Sequence, residues 1–241
     1  MKAIVSTAYG SPEVLQVSDI EKPTPKNNEV LIRVIASSVT AADGMMREGN
    51  PYYGRLFLGI FKPKYPISGT GLAGVVESVG SQVERFNIGD RVFGESVFGS
   101  GTNAEYVCVP ADGIIEHMPD NISFIEAAPA CDGAVTAYNF LTAVATLQKN
   151  QSILIIGASG SIGSSAVQIA RQLGARVTGV CSTKNLDMVE SLGAHELIDY
   201  TQTDFTQSSE RYDVIFDTVG AMSYGRCRNS LHDKGIYLSP V

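Results

Sequence analysis

The chain has 241 residues, 44% of them apolar or aromatic and 18% charged, which is enough for two modest domains or one large one around a sizeable core. Its formal charge of −7 argues against a nucleic-acid binder and an anionic-membrane binder, since both need a basic face. The four cysteines (Cys108, Cys131, Cys181, Cys227) form no CxxC pair, no apolar stretch is long enough to span a bilayer, and the start carries no signal peptide. A reduced cytoplasmic protein is expected, its thiols mostly filling core space.

In chain order, residues 3–6, 14–17, 30–36, 73–79, 91–93 and 105–109 are short runs rich in β-branched side chains, punctuated by Gly, Pro, Asn and Asp. They predict a compact barrel or partly open sheet. From about residue 123 the pattern changes. Helical periodicity at 125–130 and 134–145 leads to an apolar strand at 153–156. Helix-like and strand-like segments then alternate at 162–173, 177–180, 186–192, 197–198, 214–216, 222–231 and 236–238. That alternation predicts a parallel sheet with helices on both faces, its buried strands reading as unbroken apolar runs.

The strongest motif is Gly157-Ala158-Ser159-Gly160-Ser161-Ile162-Gly163, between the strand at 153–156 and the helix after it. A glycine-rich turn there aims free backbone N–H groups and the positive end of a helix dipole at a pyrophosphate. Gly160 lets phosphate approach the backbone and Gly163 lets helix and strand pack closely, while Ala158 stands where GxGxxG has its first glycine. The second strand runs into Val180-Cys181-Ser182-Thr183-Lys184-Asn185, with no carboxylate before Asp187 to accept a ribose 2′-OH. Hydroxyls and a lysine favour a 2′-phosphate, so the expected cofactor is NADPH; Ser182 or Thr183 can also cap the next helix.

On these residues the chain resembles the medium-chain dehydrogenase/reductase superfamily, and within it the zinc-free quinone-oxidoreductase (zeta-crystallin-like) branch. The markers are Val39-Thr40-Ala41-Ala42-Asp43, Gly69-Thr70-Gly71-Leu72-Ala73-Gly74-Val75-Val76, Gly89-Asp90-Arg91-Val92, Val135-Thr136-Ala137-Tyr138, the loop 157–163 and Phe216-Asp217-Thr218-Val219-Gly220. The resemblance implies an α/β fold: a GroES-like β-rich catalytic domain at 1–122, then a Rossmann NADP-binding domain at 123–241, with the nicotinamide in the cleft between them. It also implies that the complete protein is longer, with a sixth Rossmann strand and a returning C-terminal segment.

Where zinc relatives place a cysteine ligand this chain has Thr40, and their Gly-His-Glu is matched by Gly69-Thr70-Gly71. Cys131 or Asp132 alone cannot hold a catalytic zinc, so no metal is expected. Without a Lewis acid, conjugated acceptors are the easier substrates, because hydride delivery leaves charge delocalised on an enolate or quinol oxygen that hydrogen-bond donors can stabilise. The resemblance thus implies an NADPH-dependent reductase of a quinone or α,β-unsaturated carbonyl, with no nucleic-acid or membrane partner, and a homodimer as the expected assembly. Two alternatives stay open: an enoyl-thioester or zinc-free carbonyl reductase, and a non-catalytic NADPH-binding or structural protein.

By the same resemblance the candidate catalytic donors are Tyr52, then Tyr53 and Thr40; the tyrosines could equally pack a loop, and Asp43 could equally anchor backbone. Cofactor contacts are expected from Thr136 at the nicotinamide end, Val219 and Gly220 near the nicotinamide ribose, and Tyr200 beside the 2′-phosphate or merely at a strand end. Ala158, Ser159, Gly160, Ser161, Ile162 and Gly163 should face the pyrophosphate, and Ser182, Thr183 and Lys184 the 2′-phosphate.

Overall fold

The computed structural model describes residues 1–96 and 101–240. The chain divides into two compact units, Met1–Asp132 and Gly133–Val241.

In the first unit, β1 (Lys2–Ser6) and β2 (Leu15–Asp19) form an antiparallel pair. A five-stranded antiparallel sheet is built from β3 (Glu29–Ser37), β4 (Gly71–Val79), β5 (Arg91–Glu95), β6 (Tyr106–Pro110) and β7 (Ile115–His117), in the order β6-β3-β4-β5-β7. The six short runs seen in the sequence are thus all strands, and β7 is an addition. Alternation explains the core: Val30, Ile32, Leu72, Val76, Val92, Val107 and Val109 point to one side and close around Phe86. Between β3 and β4 the chain forms α1 (Ala41–Glu48) and a single turn, α2 (Arg55–Leu58). Another single turn, α3 (Phe124–Ala127), opens on a capping box in which Ser123 and Glu126 satisfy each other's backbone N–H groups. It buries Ala127 and Ala128 against Ala73 and Met118.

The second unit begins with α4 (Thr136–Asn139), followed by a π-helical turn at Phe140–Val144. Its sheet holds β8 (Ser152–Ile156), β9 (Arg176–Cys181), β10 (Glu196–Asp199), β11 (Tyr212–Asp217) and β12 (Leu231–Leu238), in the order β10-β9-β8-β11-β12 with every pair parallel. From Ile153 to Ile156 strand β8 is unbroken apolar sequence because both its faces are covered. Ile153 and Ile155 pack with Ala166, Val167 and Ala170 of α5 (Ser161–Gln172). Leu154 and Ile156 pack on the other side with Phe205 and Cys227. Each of these strand side chains contributes about 1.5–3 kcal/mol on burial. Helix α6 (Leu186–Ser191) follows β9.

The helix expected over 222–231 is shorter than its apolar spacing implies. Only α7 (Tyr224–Cys227) is α-helical, a 3-10 turn at Arg228–Ser230 ends it, and Leu231 already belongs to β12. Gly225, a poor helix former, sits inside this stretch. Three of the four cysteines are buried, and all four are unpaired.

Candidate active site

In the second unit the sheet's carboxyl end opens into a cavity of about 790 Å³, where strands β8, β9 and β11 run out into loops. Open α/β sheets place ligands at this edge. The chain leaves β8 through Gly157, whose φ of +76° suits glycine, and a Cβ there would press on Val219 Cγ1 at 2.6 Å. The N–H groups of Gly157 and Ala158 both donate to the Val180 carbonyl, at 3.1 and 3.0 Å. Ala158 is wholly buried, so it fixes the turn from beneath with neither side chain nor N–H left over. A Cβ on Gly163 would collide with the Gly157 carbonyl oxygen, which is the close helix–strand approach expected of that glycine. The first i−4 bond of α5 runs from Ser164 N–H to Gly160 O, so the preceding N–H groups of Ser161, Ile162 and Gly163 have no acceptor within the helix.

At the end of β9, Asn185 Nδ2 donates to Ser159 Oγ at 3.0 Å and to Ser182 Oγ at 3.3 Å, tying the glycine loop to the second strand. Ser159, Gly160, Ser182, Lys184, Tyr200 and Val219 all line the cavity. Thr183 does not: its hydroxyl turns to Asp199 on β10. Asp199 also accepts from Thr201 and Gln202, and these bonds hold its carboxyl below the usual range. Thr136, Ser161, Ile162, Gly163 and Gly220 are also outside the lining.

Three residues missed in the sequence belong to this site. Asn185 is one. Arg226 is another, a second cation on the cavity wall, facing the same space as Asp204. The third, Asp217, is a wholly buried carboxylate that organises the loop after β11. It accepts from the backbone N–H groups of Val219 (3.2 Å), Ala221 (3.3 Å) and Met222 (2.7 Å), and the Tyr237 hydroxyl lies 3.1 Å away. Val219 therefore has only its carbonyl and side chain to offer a ligand. Burial, then the charge of Asp217, pushes Tyr237 up to about 12. The signal for Asp217 was present as an acid ending an apolar strand.

In the first unit a smaller cavity of about 230 Å³ is lined by Arg47, Leu58, Tyr65, Thr70, Glu95 and Asp132, among others. Asp43 is buried beside it and anchors backbone. One oxygen accepts from Thr40 N–H (2.8 Å) and the Thr40 hydroxyl (3.2 Å), the other from Gly69 N–H (2.9 Å). The Thr40 proton is thus committed inward. Tyr52 and Tyr53 do not line the cavity; the two residues are 76% and 74% exposed, and the Arg55 guanidinium sits over the Tyr52 ring. The tyrosines that line it are Tyr65 and Tyr9, the latter held by donating to Gly59 O at 2.6 Å.

The acids here are held toward their neutral forms. Burial first, then Asp132, raises Glu95; burial first, then Asp43, raises Asp132. Burial and those two carboxylates push the Cys131 thiol up to about 11, so it is no thiolate at neutral pH. Two hydroxyls and a single thiol do not make a zinc site, which needs three protein ligands drawn from thiolate, imidazole or carboxylate donors. Among the described residues no group of three His, Cys, Asp or Glu side chains could hold a metal ion. His117, His195 and His232 are exposed on separate elements.

A GroES-like antiparallel sheet followed by a parallel nucleotide-binding sheet is the architecture of dehydrogenases. The alcohol dehydrogenase GroES-like domain family matches residues 26–120, and the zinc-binding dehydrogenase family matches residues 161–238. A quinone oxidoreductase from Pongo abelii is 35% identical over 235 residues, covering 94% of this chain and 68% of the relative. A 2-methylene-furan-3-one reductase from Solanum lycopersicum is 35% identical over 230 residues, covering 91% of this chain and 57% of the relative. The structure of an Escherichia coli quinone oxidoreductase complexed with NADPH superposes with a TM-score of 0.86 at 27% identity, over 99% of this chain and 72% of that one. The chain therefore belongs to the medium-chain dehydrogenase/reductase superfamily, in its quinone-oxidoreductase-like branch. It spans between 57% and 68% of the length of the first curated relatives it matches.

Proposed function

We propose that this chain is the core of an NADPH-dependent, zinc-independent reductase of quinones or α,β-unsaturated carbonyls. The observation that carries the reading is the make-up of the 790 Å³ cavity. Its wall joins the glycine loop to Ser182 and Lys184 at the end of β9, with no carboxylate where a ribose-binding acid would stand. The N–H groups of Ser161, Ile162 and Gly163 and the dipole of α5 would face the pyrophosphate. Ser182, Lys184 and Tyr200, with Arg226, would hold the 2′-phosphate end.

When bound, NADPH supplies a hydride; with one proton from water this reduces a quinone to a hydroquinone and leaves NADP⁺. The chain's own residues bind, orient and stabilise charge. In the first unit, Thr70 and Tyr65 on the cavity wall offer hydroxyl protons to the oxygen that becomes negative. Thr40, bonded to Asp43, acts by holding the Gly69–Thr70 turn in place. Tyr52 and Tyr53, exposed and outside the cavity wall, take no part in this reading. Enolate or quinol charge is delocalised, which lets such donors suffice without a metal.

The test is NADPH oxidation by an ortho-quinone and by a simple enone, with protein stripped by a chelator. Turnover that survives chelation, with NADPH preferred to NADH, supports the reading. Binding of NADPH without turnover by either acceptor overturns it in favour of a non-catalytic binder, and activity restored only by zinc overturns the metal-free mechanism.

A further inference from the structure

The net charge of −7 averages over a local reversal. Between Gly49 and Val76 there is no Asp or Glu, whereas Arg55, Lys62 and Lys64 lie within ten residues of one another. The same stretch carries a run of exposed large apolar side chains, including Phe61, the most exposed one among the described residues of the first unit. Phe61 is 93%, Phe57 75% and Leu56 72% exposed, with Ile60 and the Tyr52 and Tyr53 rings also open to solvent.

This exposure belongs to a pinned backbone. Arg55 Nε donates to Gly49 O at 2.9 Å and its Nη2 to Glu48 O at 3.0 Å. Lys64 N–H donates to Leu58 O at 2.7 Å, and Gly59 takes a φ of +111° that closes the turn. Outward apolar residues on a held loop are a surface for something, because contiguous exposed patches of this kind are uncommon on proteins without a partner.

We propose that the segment 52–64 docks on an anionic lipid surface, so that the adjoining cavity takes a quinone or enone dissolved in the bilayer. Aromatic and aliphatic side chains flanked by lysines match an interfacial element, with rings in the acyl boundary and ammonium groups among the head groups. No helix among the described residues is long and apolar enough to cross a membrane. Continuity with the acceptor site supports the choice. Leu58, Pro63 and Tyr65 line the 230 Å³ cavity, while their exposed neighbours Phe57 and Phe61 do not. A second copy is the poorer occupant, since a two-fold contact would set the same three cations against one another. The docking stands on this surface alone; only the identity of the acceptor rests on the reductase reading.

The test is co-flotation of the full chain with phosphatidylcholine vesicles and with vesicles containing phosphatidylserine. Binding is expected on the anionic vesicles and release at high salt. Lys62→Glu and Lys64→Glu should each weaken it by at least about fivefold, from about 1 kcal/mol per basic side chain at such a surface. Phe57→Ser and Phe61→Ser should each weaken it by about tenfold, since both rings leave the acyl boundary. Equal binding to neutral vesicles, no binding, or binding unchanged by these substitutions overturns the proposal. So does sedimentation showing a dimer that Phe61→Ser converts to monomer. Phe57, Phe61 and Lys62 line neither cavity, so oxidation of NADPH by a water-soluble quinone should stay at the parent rate in those three variants; Lys64, which lies over the Tyr65 ring, is read by flotation alone. Failure of that reaction in the parent chain removes the reductase reading and leaves the docking result standing.

Discussion

Replacing Lys184 with alanine separates the two nicotinamide cofactors. Lys184 lines the nucleotide cavity beside Ser182, whose hydroxyl is held by Asn185 at 3.3 Å, and the amine is exposed. At about 4 Å, unit charges interact by about 1 kcal/mol in water and about 4 kcal/mol at an effective dielectric of 20. An exposed lysine belongs near the lower figure, and the dianionic character of a 2′-phosphate raises it, giving about 1–2 kcal/mol for the pair. The expected result is an NADPH dissociation constant weakened by about 5–30-fold, with that for NADH changed by less than about twofold. Cofactor fluorescence titrations at low and high salt supply the measurement. The gap between the two cofactors should narrow at about 1 M salt, where the screening length falls to about 3 Å. Equal weakening of both cofactors, or of neither, refutes the assignment of Lys184 to the 2′-phosphate. Ser182→Asp serves as the converse, since a carboxylate there repels the phosphate and should turn the preference toward NADH.

Gly163→Ala should cost about 1–3 kcal/mol in denaturant unfolding and weaken NADPH binding at least about tenfold, because its Cβ meets backbone, Gly157 O and Ala158 Cα, that cannot swing aside. Asp217→Ala strips an acceptor from three backbone N–H groups, so stability should fall by about 3–5 kcal/mol with NADPH affinity falling alongside; Asp217→Asn, which keeps one oxygen, should lose less. Glu95→Gln reads out the raised carboxyl: the folded chain binds that proton more tightly than the unfolded chain, so the native residue loses stability as pH rises from the unfolded carboxylate range through the folded one. The variant should therefore melt about 1–3 °C above the parent at pH 7.5 and show no gain in acid, and a lower melting point at pH 7.5 would contradict the burial argument.

What could be read from the sequence was whatever depends on local period and local backbone. β8 and β11 announce themselves as apolar runs because helices cover both faces of their sheet, and the glycine turn is legible because φ of +76° at Gly157 and the close packing at Gly163 admit little else. The helix over 222–231 failed for the converse reason. Its apolar spacing was real, but Leu231 is used by β12 in pairing with Tyr212, a tertiary demand that periodicity does not contain.

The side-chain choices at the sites were legible only in part, because each depends on which partner a group finds. Ser182 and Thr183 are neighbours of the same chemistry, yet the first faces the nucleotide cavity while the second turns to Asp199 sixteen residues on. Tyr52 and Tyr65 lie between the same two strands, thirteen residues apart, yet of the two it is the later one that lines the cavity of the first unit. The largest gap between composition and surface is electrical. A sum over 241 residues gives −7, and that sum argued against an anionic membrane, but a membrane meets a patch within a screening length. Within such a distance of Phe61 the local sequence holds Lys62 and Lys64 and no acid, so the sign that governs association there is the opposite of the sign of the whole.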